Sequence, residues 1–188
     1  SFTISTGTIS TTSGYFDGVD FGDYDNDGYL DIFIAATNSG NNQLYHNNGN
    51  GTFSQIFTGP GSESGPQSFG CTWGDYDNDG DLDYVVNNIN DVAFLYENTL
   101  YGNSNLKSEN SFLRIKLVGP PKNRSGLNTK VTLKYNGETQ FQDHSIYRGY
   151  LSTMEDIVHF GVGKTQVIDT ILIEWPDGNN QTFYNTKV

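Results

Sequence analysis

Short apolar runs separated by polar turns fill the first half of the chain. Residues 30–36 form a short apolar run, which is typical of a buried strand, and residues 43–46 form a second candidate strand. Residues 38–42 between them have the composition of a turn, and the Asn- and Gly-rich residues 47–51 predict a hairpin. No stretch has the apolar period of an amphipathic helix. The pattern therefore predicts an all-β fold.

A second β-rich region occupies the other half of the chain. Residues 112–118 alternate apolar and basic side chains, as a half-buried strand does. Residues 130–135 and 137–141 predict a hairpin closed at an Asn-Gly dipeptide, which favours a tight two-residue turn. Residues 170–175 predict a further strand. We therefore expect a C-terminal β-sandwich-like domain.

One segment of the first half occurs twice. Residues 18–31 recur as residues 70–83, at an offset of 52, and both copies contain Gly-Asp-Tyr-Asp-Asn-Asp-Gly. The similarity continues past the acidic stretch, where residues 44–47 match residues 95–98 after a deletion of one residue. A period near 50 residues is the size of a propeller blade, so the sequence predicts two blade-like β repeats.

Acidic side chains dominate the charge of the chain. The formal net charge is −12, from 22 Asp and Glu and 10 Lys and Arg. A nucleic-acid partner is not expected, because binding phosphates needs a basic face. Eight of the acidic side chains occupy repeated positions in the two copies, which favours cation binding. No apolar run reaches the roughly 20 residues that cross a bilayer, so no transmembrane segment is expected.

The single cysteine and the start of the chain give two narrower expectations. Cys71 cannot form an internal disulfide, and its aromatic neighbours predict a buried small hydrophobic side chain rather than a reactive thiol. The chain begins at Ser1 and has no signal-peptide pattern, so we expect a mature, processed or partial chain.

Both copies of the repeat carry the pattern Asp-x-Asp-x-Asp-Gly-x-x-Asp, here called loop 1 (residues 23–31) and loop 2 (residues 75–83). Alternating aspartates in a tight turn bring several carboxylates to one point, and their repulsion opposes the turn unless a cation is bound. Calcium takes about six to eight oxygen ligands, so we predict two Ca²⁺ ions. Loop 1 would use the side chains of Asp23, Asp25, Asp27 and Asp31 with the backbone carbonyl of Tyr29, and loop 2 those of Asp75, Asp77, Asp79 and Asp83 with the carbonyl of Asp81.

Three other interpretations of these loops are weaker. An EF-hand needs a glutamate at loop position 12, where this chain has Ile34 and Val86, and it needs flanking helices. A polar turn without metal does not explain why all eight carboxylates recur. Magnesium resists sites built only from protein ligands.

The repeated segments resemble FG-GAP or VCBS repeats, which are the blade units of integrin-like β-propellers. The segments FGDYDNDGYLDIFIA and WGDYDNDGDLDYVV carry this resemblance, which covers about residues 14–100. The second half resembles the ASPIC/UnbV domain in the segments NRSGLNTKVTLKY, RGYLS, HFGVG and IEWPDG, over about residues 111–185. The resemblance implies a secreted or surface protein whose C-terminal domain has no known catalytic role.

These features divide the chain into three expected parts. They are an N-terminal strand or arm over residues 1–13, two calcium-binding repeats over residues 14–105, and an ASPIC/UnbV-like β domain over residues 106–188. A closed propeller needs at least about four blades, so the chain is part of a longer one or packs its two units differently. The Thr- and Ile-rich start is an ordinary first strand or an arm that adds to the sheet of another copy. Head-to-tail addition that does not close would produce a filament.

The expected function is a non-catalytic, extracellular or cell-surface module for structure or adhesion. Its partners would be copies of itself, or other surface proteins and glycans. The alternative is a carbohydrate-binding or accessory domain of a larger secreted enzyme, in which aromatic side chains such as Tyr15, Tyr24, Tyr76, Trp73 and Tyr150 would stack on sugars. Sequons at Asn50, Asn123 and Asn180 raise the possibility of a glycoprotein.

No catalytic site is expected. His46 has Glu97 as its counterpart in the second repeat, so we interpret it as a surface position. His144 and His159 have no motif around them that indicates a triad, and the chain contains no phosphate-binding loop.

Overall fold

The computed structural model describes residues 9, 14–37, 41–58, 67–99, 109–147 and 150–188. Almost all regular structure in these residues is β-strand, which confirms the all-β fold. No helix in the described residues is long and apolar enough to cross a membrane. The strands of the first half are β1 (Tyr15–Gly22), β2 (Asp31–Thr37), β3 (Gln43–Asn47), β4 (Phe53–Ile56), β5 (Ser68–Gly74), β6 (Asp83–Asn88) and β7 (Phe94–Tyr96). Those of the second half are β8 (Ser111–Ile115), β9 (Lys130–Tyr135), β10 (Glu138–Asp143), β11 (Val158–Gly163), β12 (Val167–Glu174) and β13 (Asn180–Lys187).

The two repeats form two antiparallel sheets with the same strand order. The first sheet runs β1-β2-β3-β4 and the second runs β5-β6-β7. Each acidic loop joins the first strand of its sheet to the second, so loop 1 lies between β1 and β2 and loop 2 lies between β5 and β6. The pairs Gly22–Asp31 and Gly74–Asp83 close the two loops in equivalent registers. The repeat in the sequence is therefore a repeat in structure.

The two sheets share one hydrophobic core. Phe33 from β2 and Trp73 from β5 are almost completely buried, and their rings meet edge to face with centroids 6.3 Å apart. Tyr84 from β6 packs against both rings. Cys71 belongs to the same core, which confirms that its side chain is buried, and burial raises the pKa of its thiol to about 12.

The second half has its own core between two further sheets. One sheet has the order β10-β9-β12-β13 and the other pairs β11 with β8. The inward positions of these strands are aliphatic or aromatic, and the most buried are Val131, Leu133, Phe160, Val162 and Ile168. This arrangement agrees with the expected sandwich-like layering.

The local predictions for the second half hold in part. The hairpin is confirmed, since β9 and β10 are joined at Asn136 and Gly137, which both have positive φ, as a type I′ turn requires. The strand predicted over residues 112–118 ends at Ile115, where pairing with β11 stops. Leu117 is nevertheless buried in the core. The segment after β8 keeps this apolar side chain inward although its hydrogen bonding to β11 has ended.

Two of the expected divisions fall outside the described residues. The arm over residues 1–13 is described only at Ile9, and the boundary between residues 105 and 106 lies in a segment that the structure does not describe. Both stay predictions.

Candidate metal centre

Loop 1 and loop 2 follow the same backbone path. Asn26 and Asn78, the fourth residues of the loops, have φ of 57° and 63°. Gly28 and Gly80, the sixth residues, have φ of 99° and 97°, which favours glycine. The Asn-Asp-Gly turn is therefore built into both loops by residues that adopt left-handed conformations at low cost.

The last aspartate of each loop accepts hydrogen bonds from two backbone amides, and these amides are at equivalent positions in the two repeats. Asp31 accepts hydrogen bonds from the N–H of Tyr24 at 3.1 Å and from the N–H of Asn47 at 2.7 Å. Asp83 accepts them from Tyr76 at 3.0 Å and from Asn98 at 2.8 Å. Asn47 and Asn98 end the repeated Leu-Tyr-x-Asn segments, so this part of the repeat ties the third strand of each sheet to its loop.

Three carboxylates of loop 1 converge. Oxygens of Asp23, Asp25 and Asp31 all lie within 4.8 Å of one another. Asp23 is fixed by the N–H groups of Asp27 and Gly28, which donate to its two oxygens at 3.0 and 2.9 Å. Asp27 belongs to an overlapping group with Asp25 and the ring of His46.

Loop 2 brings together the equivalent three carboxylates. Oxygens of Asp75, Asp77 and Asp83 lie within 4.8 Å of one another. Asp75 is buried, and its Oδ1 is a solvent-inaccessible acceptor with no hydrogen-bond partner among the described residues. An orphaned carboxylate oxygen inside an acidic group is the kind of atom that a cation satisfies. The donors present therefore fit a hard, oxygen-preferring cation.

Four other predicted ligands lie outside the two three-carboxylate groups. Asp27 and Asp79 accept the N–H groups of Tyr29 and Asp81 at 2.8 and 3.1 Å, so these carboxylates also brace their own turns. Asp79 lies outside the three-carboxylate group of loop 2. The carbonyl ligands predicted at Tyr29 and Asp81 stay predictions.

Burial makes the carboxylates difficult to ionise in the absence of a cation. The pKa of both Asp23 and Asp31 is raised to about 8, chiefly by burial, with a contribution from the neighbouring carboxylates and against the opposing effect of the backbone hydrogen bonds. Burial likewise raises the pKa of Asp75 and Asp83. A divalent cation would reverse this effect, because its charge favours the ionised form of every ligand.

His46 is only partly exposed and lies beside the carboxylates of loop 1, so its interpretation as a surface position is corrected. Its Nδ1 is 3.4 Å from an oxygen of Asp25 and 3.3 Å from an oxygen of Asp31. The sequence placed it opposite Glu97, and that comparison did not indicate a position beside the cluster. The signal was present in the following residue, Asn47, whose N–H holds Asp31 and so brings β3 against loop 1.

Loop 1 also contacts loop 2 and the second half of the chain through Asn26. Its side chain is fully buried, and its Nδ2 donates to the carbonyl of Gly80 in loop 2 at 3.1 Å. Its Oδ1 is 2.7 Å from Nε2 of His159 in β11, and its carbonyl accepts the N–H of Gly163 at 2.9 Å. Because Oδ1 is an acceptor, the neutral ring of His159 carries its proton on Nε2.

The remaining histidine and the aromatic side chains have structural surroundings. His144 is buried, and its Nε2 is 2.9 Å from an oxygen of Asp156. Trp73 is in the core with Tyr24 stacked near it, whereas Tyr15, Tyr76 and Tyr150 are exposed. The exposed rings come from different strands and loops.

Comparison with known proteins supports the two halves separately. Residues 23–86 match the FG-GAP-like repeat family, and residues 119–188 match the ASPIC and UnbV family. Over 169 aligned residues the chain is 30% identical to cartilage acidic protein 1 of Homo sapiens and 28% identical to cartilage acidic protein 1 of Mus musculus. These alignments cover 83% of this chain but 24% and 25% of the relatives, so the chain spans about a quarter of the length of the curated relatives it matches.

The two matched segments follow one another in the order that the sequence predicted. The chain therefore combines an FG-GAP-like repeat segment with an ASPIC and UnbV segment, and over most of its length it is similar to cartilage acidic protein 1.

Proposed function

We propose that this chain is a non-catalytic, calcium-stabilised module of an extracellular structural or adhesion protein. The observation that carries the proposal is the pair of three-carboxylate groups at equivalent positions of the two repeats, Asp23, Asp25 and Asp31 in loop 1 and Asp75, Asp77 and Asp83 in loop 2. Each group would hold one Ca²⁺. The ions would neutralise buried carboxylates and so stabilise the folded chain.

Calcium is favoured over other metals by the donor set. The groups consist of carboxylates in short turns that also offer backbone carbonyls, and calcium accepts such irregular oxygen shells. Magnesium needs a tighter octahedron and keeps several waters. Extracellular modules bind calcium with dissociation constants of about 10⁻⁴ to 10⁻³ M, so millimolar calcium would load both loops.

A calcium titration by calorimetry tests the two sites separately. Asp25→Asn and Asp77→Asn remove one charge from the more accessible carboxylates of loop 1 and loop 2, and Asn keeps an oxygen for the local turns. The unaltered chain should bind two ions and each variant one. Asp91→Asn, an exposed acid outside the loops, is the matched control and should bind two. One ion or none in the unaltered chain would contradict the proposal.

The extracellular setting and the adhesive role are supported by the two families and by the relatives. FG-GAP-like repeats and the ASPIC and UnbV domain occur together here, and the relatives that the chain matches are named for cartilage. Partners would be other surface proteins or glycans. Secretion of the tagged chain from its source cells, or its retention inside them, decides the location directly.

We also propose a division at residues 1–13, 14–105 and 106–188. The matched segments lie within the second and third of these parts. Limited proteolysis in calcium should cut first near residue 105, whereas a first cut within either matched segment would contradict the division.

Self-assembly by strand addition is a second candidate, favoured by one difference between the repeats. The described residues give the first sheet a fourth strand, β4, and give the second sheet three strands ending at β7. Leu95 in β7 is 51% exposed, so the N-terminal arm of another copy would find apolar surface there. Light scattering should show calcium-loaded polymers that disappear when residues 1–13 are deleted. Monomers at every concentration would exclude this candidate.

A further inference from the structure

Charge is distributed very unevenly between the two halves of the chain. Residues 1–106 contain 14 acidic side chains and no Lys or Arg, whereas residues 107–188 contain eight acidic and all ten basic side chains. Any Lys or Arg that neutralises a loop carboxylate must therefore come from the second half. Within the described residues, Arg114 of β8 does so at loop 2.

Arg114 reaches the first carboxylate of loop 2. Its Nη1 is 2.7 Å from Oδ2 of Asp75, whose side chain is fully buried, and its Nη2 is 2.5 Å from an oxygen of Glu155. Glu155 also lies 3.5 Å from the N–H of Asp75. The guanidinium is only 17% exposed, so the pair is screened less than a surface ion pair.

Among the residues that the structure describes, no Lys or Arg pairs with loop 1 at the equivalent position. Asp23 faces the neutral backbone of β11, where a Cβ placed on Gly161 would stand only 1.9 Å from its Oδ2. In this described part of the chain, the basic side chain beside the carboxylates of loop 1 is His46, whose Nδ1 lies 3.4 Å from Asp25 and 3.3 Å from Asp31. The two loops thus share one backbone path but differ in the charge that packs against their first aspartate.

We propose that Arg114 is a resident counter-ion of loop 2, which holds this loop and its contact with the C-terminal domain together when calcium is absent. The inference rests on the proposed calcium binding. Arg114 pairs with Oδ2 of Asp75, while Oδ1 has no hydrogen-bond partner among the described residues and would be left for an ion. Arg114 is a positioning residue, since it acts on the metal centre through Asp75. Loop 1, which has no such residue in the described part of the chain, depends more strongly on calcium.

Thermal unfolding of Arg114→Gln in chelator and in millimolar calcium tests this role. In chelator, the variant leaves a buried carboxylate without its counter-ion, and the melting temperature should fall by about 5–10 °C. In calcium, the bound ion offsets the charge of Asp75, so the loss should be less than about half as large. The rise in melting temperature caused by calcium should therefore be larger in the variant than in the unaltered chain.

Two further variants separate charge from shape. Arg114→Lys keeps the charge and should bring the calcium response back towards that of the unaltered chain. Lys116→Gln removes an exposed cation that pairs with Asp156 at 3.3 Å, away from the loops, and should leave the calcium response unchanged.

The outcomes distinguish this inference from the proposed function. If calcium does not stabilise the unaltered chain, the proposed function fails, and the counter-ion role fails with it. If calcium stabilises the unaltered chain but Arg114→Gln loses the same amount in both conditions, only the counter-ion role is overturned. Should Arg114→Gln not fold, adding Asp75→Asn removes the uncompensated charge and should restore folding in chelator. Failure of that double variant to fold would equally overturn the role.

Discussion

At the scale of single residues, equivalent positions of the two loops have the same backbone conformation but different surroundings. Asn26 and Asn78 have nearly the same backbone conformation, yet Asn26 is completely buried and Asn78 is exposed. The difference lies in the partner, because Asn26 packs against His159 and Gly163 of β11. The turn needs asparagine for its left-handed backbone, and loop 1 also uses the side chain to join three parts of the molecule.

Gly161 sets the distance between β11 and loop 1. A Cβ at this position would lie 1.9 Å from Oδ2 of Asp23 and 2.6 Å from Cα of Asn26. Gly161→Ala should therefore push loop 1 away and cost at least about 2 kcal/mol of unfolding free energy in denaturant titrations. Gly74→Ala is the control, since no heavy atom lies within 4 Å of its added Cβ. Equal stabilities for the two variants would contradict this packing.

His159 should make stability depend on pH. Burial, helped by the charge of Arg114, lowers the pKa of His159 to about 4, and the ring stacks on Phe112 with centroids 5.7 Å apart. Because the folded pKa lies below the unfolded value of 6.5, this group costs nothing above pH 6.5 and destabilises the fold progressively between pH 6.5 and 4. The full effect is on the order of 3 kcal/mol.

The variant His159→Gln isolates that effect. Gln keeps a donor for Asn26 but does not titrate, so the stability difference between the unaltered chain and the variant should shrink as the pH falls from 7.5 to 5. Urea titrations at both pH values in chelator measure the difference. A gap that stays constant would show that His159 is not kept neutral by the fold. Tyr184→Phe, an exposed position on β13, should show no change with pH in its difference from the unaltered chain.

At the scale of strands and loops, the local sequence determines the turns, whereas the pairing partner determines where a strand ends. The Asn136-Gly137 hairpin and the acidic turns were predictable, because each is encoded by a few adjacent residues with specific backbone preferences. The end of β8 was not, since it depends on where pairing with β11 stops. The contact of Arg114 with Asp75 joins residues 39 positions apart from different sheets, and no local pattern records it.

The β3–β4 hairpin makes Asn50 a better placed sequon than Asn123. Asn50 is exposed at the tip, and its Oδ1 accepts hydrogen bonds from the N–H and Oγ1 of Thr52. Asn123 instead donates from its amide to the carbonyl of Leu127 at 2.9 Å. Expression in a host that attaches N-glycans should give a mass that falls when Asn50→Gln is introduced. Asn123→Gln should leave the glycan mass unchanged, and loss of glycan in that variant alone would contradict the assignment.

At the scale of the whole molecule, the acidic loops lie where the two repeats and the second half of the chain meet. Loop 1 contacts loop 2 through Asn26 and Gly80, and it contacts β11 through His159. Loop 2 contacts β8 through Asp75 and Arg114. A metal bound in these loops would therefore stabilise the junction as well as the repeats. The sequence predicted that carboxylates converge in each loop, and three of them do, but it gave no sign that the second half of the chain packs on them.

The central claim is that calcium stabilises this fold through two loops. Thermal unfolding of the unaltered chain in about 10 mM calcium and in excess chelator tests it most directly. At about 10 to 100 times their dissociation constants, two bound ions would add roughly 3 to 5 kcal/mol, so the melting temperature should rise by about 6 °C or more. Magnesium at the same concentration should produce a much smaller rise. A melting temperature that is the same in calcium and in chelator would contradict the account.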